Sequence, residues 1–259
     1  MSADRASGLV LASRSPRRQE ALTALGYPFL IFVSEVERRL GQLDDPTDPV
    51  PIAAAKAIDG AEGHPHATVL AGDTIVVLQE TLLVRSSHLP DGVAAKAPST
   101  LPGTRNAHLG KPADRTEARD MLRRLRGRRH IVRSALAISS AAGQVTAEVA
   151  SPVEMRAFTD AELEAYVAGD EPLDCAGAYD VHRQGGSLVA DVAGCYSAVV
   201  GLPVVAAAVL LGDAGLAAPH DPVRTCSHLY GRPCLAERGE TAPLCTPTRL
   251  THLPPLSCT

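Results

Sequence analysis

A chain of 259 residues with 45% hydrophobic content is long enough to bury a full core, and one domain of about 200 residues plus additions is expected. Aromatic residues make up 3% and tryptophan is absent, so that core must be built from alanine, valine and leucine. The formal charge of -4 argues against a general polyanion-binding surface, hence against bulk nucleic-acid binding, but leaves room for a local cationic site that takes a small phosphate.

The first apolar run, residues 9–12, reads as a buried strand. It stops at Ser13-Arg14-Ser15-Pro16-Arg17-Arg18, and residues 19–25 then read as a helix that Gly26 ends. A strand delivering small hydroxyls and arginines to a helix start makes an anion-binding corner, because the helix start supplies N–H groups and the arginines supply forked donors. Residues 29–33 form a second strand, followed by Ser34-Glu35-Val36-Glu37. Alternation puts Glu35 and Glu37 on one face, which suits a divalent cation or equally a solvent-facing edge. Residues 51–60 are alanine-rich and helical in pattern, with Lys56 as the charge among alanines; it either snorkels or reaches an anion.

Two further strands, 68–71 and 74–78, flank Gly72-Asp73. A carboxylate inside an apolar run is costly to bury unless paired or metal-bound. Asp73 is therefore a turn aspartate, a magnesium ligand or a water-activating base. Residues 79–109 show little periodicity and far exceed a typical loop of about 4–6 residues, so they read as a flexible insertion or lid. Gly110-Lys111-Pro112 follows, with the lysine held extended by the proline.

Ala118, Met121, Leu122 and Leu125 fall at helical spacing within 116–125, and the arginines between them read as a solvated face. Residues 131–138 form another strand, and Thr159 with Glu162 forms a capping box. Strands alternating with helices imply an α/β fold. Small residues crowd 171–182, which lets backbone pack against a flat ligand or another strand. Residues 213–259, rich in proline, threonine, arginine and cysteine, read as a mostly disordered tail.

The six cysteines contain no C-x-x-C pair. Cys226, Cys234, Cys245 and Cys258 could in principle join His228 and His252 around zinc, but their spacing matches no usual site, and reduced thiols are expected. No apolar run reaches the roughly 18 residues needed to span a bilayer, and the opening MSADRASG lacks a signal-peptide pattern. The expectation is a cytoplasmic protein without a membrane partner.

Taken in order, these blocks resemble the Maf (septum-formation-inhibitor-like) nucleotide pyrophosphatases. The matching pieces are Ser13 to Arg18, Ser34 to Glu37, Ala55-Lys56-Ala57, Gly72-Asp73-Thr74, Gly110-Lys111-Pro112, the stretch from Met121 to His130, Glu171 to Tyr179, and Val199 to Pro203. The resemblance implies a pyrophosphatase domain over 1–212, interrupted by the 79–109 insertion. It further implies a long mixed β-sheet flanked by helices, of the kind found in inosine-triphosphate pyrophosphatases (the Maf/Ham1 fold), and a homodimer. The implied reaction is metal-dependent hydrolysis of nucleoside triphosphates to monophosphate and pyrophosphate. Ala176-Gly177-Ala178-Tyr179 resembles the dTTP/UTP branch rather than the 7-methyl-GTP branch. By the same resemblance Asp73 is the base. Glu35 and Asp73 would share Mg²⁺ or Mn²⁺, Arg17, Lys56 and Lys111 hold the phosphates, and Ser13 and Ser15 add neutral donors. Arg17, Thr74 and His182 match positions linked to substrate choice. The alternatives are 7-methyl-GTP hydrolysis and a non-catalytic nucleotide-binding regulator of septum formation.

Three departures stand out. His182 occupies the place of a usual glutamine, and imidazole cannot copy the donor and acceptor pair of one amide, so weaker discrimination for dTTP and UTP is expected. The 79–109 insertion separates Asp73 from Lys111 and threatens to misplace the lysine. Ser134-Ala135 and Ala198 replace the frequent threonine–glycine and asparagine, a matter of local packing.

Overall fold

The computed structural model describes residues 8–36, 48–84, 101–238 and 250–253; Glu37, residues 85–100 of the insertion, Cys245 and Cys258 lie outside them. The chain runs β1 (Leu9–Leu11), α1 (Pro16–Ala24), β2 (Phe29–Ile31), α2 (Val50–Gly63), β3 (Thr68–Val84), β4 (Leu101–Leu109), α3 (Arg115–Leu125) and β5 (Arg129–Ser140). It continues through β6 (Gly143–Met155), α4 (Asp160–Val167), three short 3-10 turns between Glu171 and Leu188, and β7 (Val189–Val192). The last elements are α5 (Tyr196–Val200), α6 (Val204–Asp213), α7 (Pro222–Tyr230), a 3-10 turn at Leu235–Arg238 and β8 (Leu250–Leu253).

The strands form one mixed sheet in the order β2-β1-β3-β5-β6-β7, with β4 added to β3 and β8 to β6. β1 is parallel to β2 and β3, and the remaining pairings are antiparallel. Side-chain alternation sorts the apolar residues onto two faces. Leu9, Leu11 and Leu70 join the larger core with residues of α1, α3, α4, α6 and α7. Val10, Ala12, Val69 and Ala71 form a smaller cluster with Ala53, Ala54 and Ala57 of α2. Small side chains let α2 lie close on the sheet: a Cβ at Gly60 would come within 2.8 Å of the Val69 Cγ1.

One topological detail positions the site. β1 pairs with β3 at Thr68–Leu70, and β4 pairs with the same edge from Val76 onward. β1 runs toward this gap in parallel and β4 runs toward it in antiparallel sense, so both carboxyl ends converge on residues 71–75. β5 pairs with the opposite edge of β3 from Val69 to Val77, across the whole gap. A crevice at converging strand ends, where the sheet changes partner, is where α/β proteins bind ligands.

Two expectations need correction. Residues 79–84 and 101–109 are not loop: they lengthen the β3–β4 hairpin in unbroken register from Val76↔Leu109 to Val84↔Leu101, since a backbone ladder tolerates Pro102 and Gly103 on an outer strand. Residues 213–238 are not a disordered tail either. Asp221 caps α7, and Cys226, Tyr230 and Cys234 are buried in the larger core. The Tyr27 hydroxyl donates to the Leu216 carbonyl at 3.0 Å, and the His220 backbone N–H donates to that of Leu25 at 3.2 Å. A few apolar side chains at helical spacing gave this segment its fold within a polar composition.

Candidate active site

The β1–β4 gap opens into a cleft of about 620 Å³, within the size range of small-molecule sites. Ser13 through Arg18 at the start of α1 line it, with Lys56 of α2, Asp73 and Thr74 of β3, His108 of β4, and Lys111 just beyond β4. Asp174, Cys175, Tyr179 and Asp180 close it from the 3-10 turns. Among these described residues, five cations (Arg14, Arg17, Arg18, Lys56 and Lys111) face three carboxylates, a local surplus of two positive charges in a chain of net charge -4. That surplus is what a triphosphate needs.

Each carboxylate is paired. The Lys56 Nζ lies 3.1 Å from the Asp73 Oδ1, and both side chains are largely buried. Odd-numbered positions on β3 face α2, which is why a lysine among alanines can reach this aspartate. The Lys111 Nζ lies 2.6 Å from the Asp174 Oδ1, with both groups about 60% exposed. Arg17 NH1 lies 3.3 Å from the Asp180 Oδ2, a carboxylate that is 1% exposed. Arg17 also donates to the Asp174 carbonyl at 3.1 Å, while the Asp180 Oδ1 accepts the His182 backbone N–H at 2.9 Å. Burial pulls the Arg17 pKa down, but Cys175, Asp180 and Asp174 raise it on balance, so the guanidinium stays charged. Burial pushes the Cys175 thiol up to about 11, against the pull of Arg17, so it stays protonated at neutral pH.

Arg18 supports the cleft from the other face of β3. Its buried guanidinium donates to the Gly201 carbonyl at 2.9 Å, the Ser13 hydroxyl at 3.1 Å and the Thr74 hydroxyl at 3.1 Å. Gly72 lets it pass, since a Cβ there would meet the Arg18 Nε at 3.2 Å and the Ala135 carbonyl at 3.1 Å. Ser134 bonds the Thr74 hydroxyl at 2.9 Å and donates to the Ala198 carbonyl at 2.6 Å, so these departures from the family pattern join the same network. Behind the wall, His130 meets the Tyr179 hydroxyl at 2.7 Å, and burial lowers its pKa to about 4.

The cleft thus brings together Ser13, Ser15, Arg17, Lys56, Asp73, Thr74 and Lys111. Two other expected residues are placed differently. Glu35 is half-buried next to Ser34, which lines the cleft, but is not itself in the lining. His182 is turned away: its exposed ring packs edge-on against Tyr196 and Tyr230, at centroid distances of 6.1 and 5.1 Å. The aromatic partners come from α5 and α7, so this contact could not be read locally. Sequence reasoning also passed over Asp174, Asp180 and His108, and named Arg18 without its bracing role. A carboxylate between Tyr179 and Val181 was the one available signal for Asp180. Among the described residues no three or more His, Cys, Asp or Glu side chains gather as a metal cage, and no helix is long and apolar enough to cross a membrane.

Converging strand ends, a helix start and a ring of ion pairs define an α/β protein with a preformed anion-binding cleft. The chain matches the Maf-like protein family over residues 8–214. It is 37% identical over 197 residues to a protein of Bacillus mycoides (strain KBAB4) named dTTP/UTP pyrophosphatase, covering 76% of this chain and 90% of that relative. Proteins of the same name from Bacillus anthracis (strain CDC 684 / NRRL 3495) and Bacillus cereus (strain ATCC 10987 / NRS 248) are each 36% identical over 197 residues. They too match 76% of this chain, and the match spans 90% and 84% of their own lengths. The chain belongs to the Maf-like family.

Proposed function

We propose that this protein is a nucleoside triphosphate pyrophosphatase, which splits the bond between the α- and β-phosphates of dTTP or UTP and releases pyrophosphate. The single observation that carries the reading is the meeting of Asp73 with Lys56, Lys111 and Arg17 in one cleft at the β1–β4 gap. The names of the relatives support the substrate class. The reading puts the reaction in the cytoplasm, where such nucleotides are found.

The chain's own residues divide the work. The Asp73 carboxylate, held by Lys56, orients a water toward the α-phosphorus and accepts its proton. Lys111 is held by Asp174 only in an exposed, solvent-screened pair, so it re-aims readily at phosphate oxygens. Arg17 offers a charged fork fixed in place by the Asp180 carboxylate, and balances charge that moves onto the departing pyrophosphate. Ser13 and Ser15 add neutral donors at the start of α1. The donor set fits a divalent ion of the magnesium type, which is commonly bound by one or two carboxylates together with substrate phosphates. Asp73 would hold it from the cleft floor, and Glu35 from the segment beside Ser34. When bound, Mg²⁺ or Mn²⁺ supplies charge neutralisation and polarises a phosphoryl oxygen.

A pyrophosphate-release screen over natural and modified nucleoside triphosphates, with Mg²⁺ or Mn²⁺, tests the reading. Release from dTTP or UTP is expected. Tight nucleotide binding without release from any nucleotide would instead make the protein a binder.

A further inference from the structure

We propose that His108 is a further substrate-contacting residue, donating a hydrogen bond to the phosphate chain on the pyrophosphate side of the bond that breaks. The proposal rests on the pyrophosphatase reading and deepens it.

His108 stands on β4 opposite Val77, where that strand runs into the β1–β4 gap, and it lines the cleft. Its neighbours fix its position. On one side it shares the cleft lining with Asp73. On the other it lies over Gly110, where an added Cβ would meet its Cε1 at 3.6 Å and its Nε2 at 3.9 Å. Lys111 comes next in the chain. The imidazole therefore shares one cleft with the group that faces the α-phosphorus and with a lysine that takes the departing phosphates.

Its polar atoms are uncommitted. Among the described residues, neither ring nitrogen of His108 has a hydrogen-bond partner. Three other described histidines are engaged: His64 with the Gly60 carbonyl, His130 with Tyr179, His220 with the Ala24 carbonyl. The charged neighbours are also engaged, Lys56 with Asp73 and Lys111 with Asp174. Desolvation lowers the His108 pKa, with Asp73 pulling the other way. The contact needs no change of protonation, because a neutral imidazole carries one N–H. His108 is exposed at the cleft mouth, so its N–H exchanges water for a phosphate oxygen, where a charge-assisted bond is about twice as strong as a neutral one.

The test measures binding of the two products separately. Calorimetric titration with inorganic pyrophosphate and with the nucleoside monophosphate, both with Mg²⁺, is run on wild type, His108→Ala, His108→Phe and His108→Gln. Loss of the donor in the Ala and Phe variants should weaken pyrophosphate binding and raise the triphosphate KM about tenfold, with monophosphate binding unchanged within about twofold. His108→Gln keeps an N–H donor and should recover most of the loss. His108→Phe keeps a ring in place, so it decides the matter if the alanine variant folds poorly. Pyrophosphate binding within twofold of wild type in the Phe variant, equal weakening of both products, or no recovery with Gln would each overturn the proposal. Asp73→Asn run beside them separates the two readings. If wild type releases pyrophosphate from no nucleotide, the pyrophosphatase reading fails; if wild type is active and Asp73→Asn is not, while the His108 variants match wild type, only the His108 assignment fails.

Discussion

At the scale of single residues, exposure separates two cations that a sequence motif treats alike. Arg17 neutralises Asp180, a carboxylate with 1% exposure, whereas the Lys111–Asp174 pair lies in solvent. Removing one partner of a buried pair strands a charge and typically costs about 3–5 kcal/mol, while exposed pairs contribute under about 1 kcal/mol. Arg17→Ala should therefore lose both activity and about 3 kcal/mol of stability. Lys111→Ala should lose activity with almost no change in stability. Urea unfolding of the two variants checks this, and equal stabilities would contradict it. His130 gives a pH dependence. Burial lowers its pKa to about 4, below the unfolded value near 6.5, so the unfolded chain takes up the proton first. The stability it contributes is full above about pH 6.5 and falls as pH drops toward 4, by about 3 kcal/mol in all. In a His130→Gln variant, the fall in unfolding free energy between pH 7.5 and 4 should shrink by that amount. An unchanged fall would contradict the assignment.

Among the elements, α2 shows how packing sets chemistry. Its alanines and Gly60 let it lie against β3 closely enough for Lys56 to reach Asp73. A methyl group at Gly60 meets Val69 at 2.8 Å, so Gly60→Ala should push the helix outward. The expected result is a loss of about 1–3 kcal/mol and a lower kcat, measured by thermal melting and pyrophosphate release. Wild-type values for both would show that the seat of α2 is looser than its geometry implies. Sequence patterning exposed this element and α3 because their apolar residues recur at helical spacing, and Thr159 with Glu162 forms the expected capping box on α4. β6 escaped because Pro152 and polar residues interrupt its alternation. β4 escaped because Pro102 and Gly103 resemble loop composition, whereas its partner strand, not its own residues, makes it a strand.

Over the whole molecule, the segment after the family match completes the core rather than trailing from it. Tyr230 of α7 is buried against Tyr196 and the His182 ring, and Arg232 lies 4.5 Å over the Tyr196 ring. Tyr230→Ala should cost about 3 kcal/mol, the usual scale for emptying a buried aromatic site. Unchanged denaturant unfolding would mean that the segment docks without contributing. The same contacts explain which parts of the site were legible. Asp73, Lys56, Lys111 and Arg17 each sit in a short block that is ambiguous alone, and the order of those blocks along the chain is what made them legible. His182 was misplaced because two distant tyrosines decide where its ring goes. Asp180 and the bracing role of Arg18 went unrecognised because their partners, Arg17 and Thr74, lie 163 and 56 residues away.

The most direct measurement is single-turnover hydrolysis of dTTP or UTP by Asp73→Asn, with nucleotide binding followed in parallel. Losing the proton acceptor at the gap between β1 and β4 should slow pyrophosphate release by about 10²–10⁴-fold while the nucleotide still binds. Release at the wild-type rate would contradict the assignment of Asp73 as the group that directs water onto the α-phosphorus.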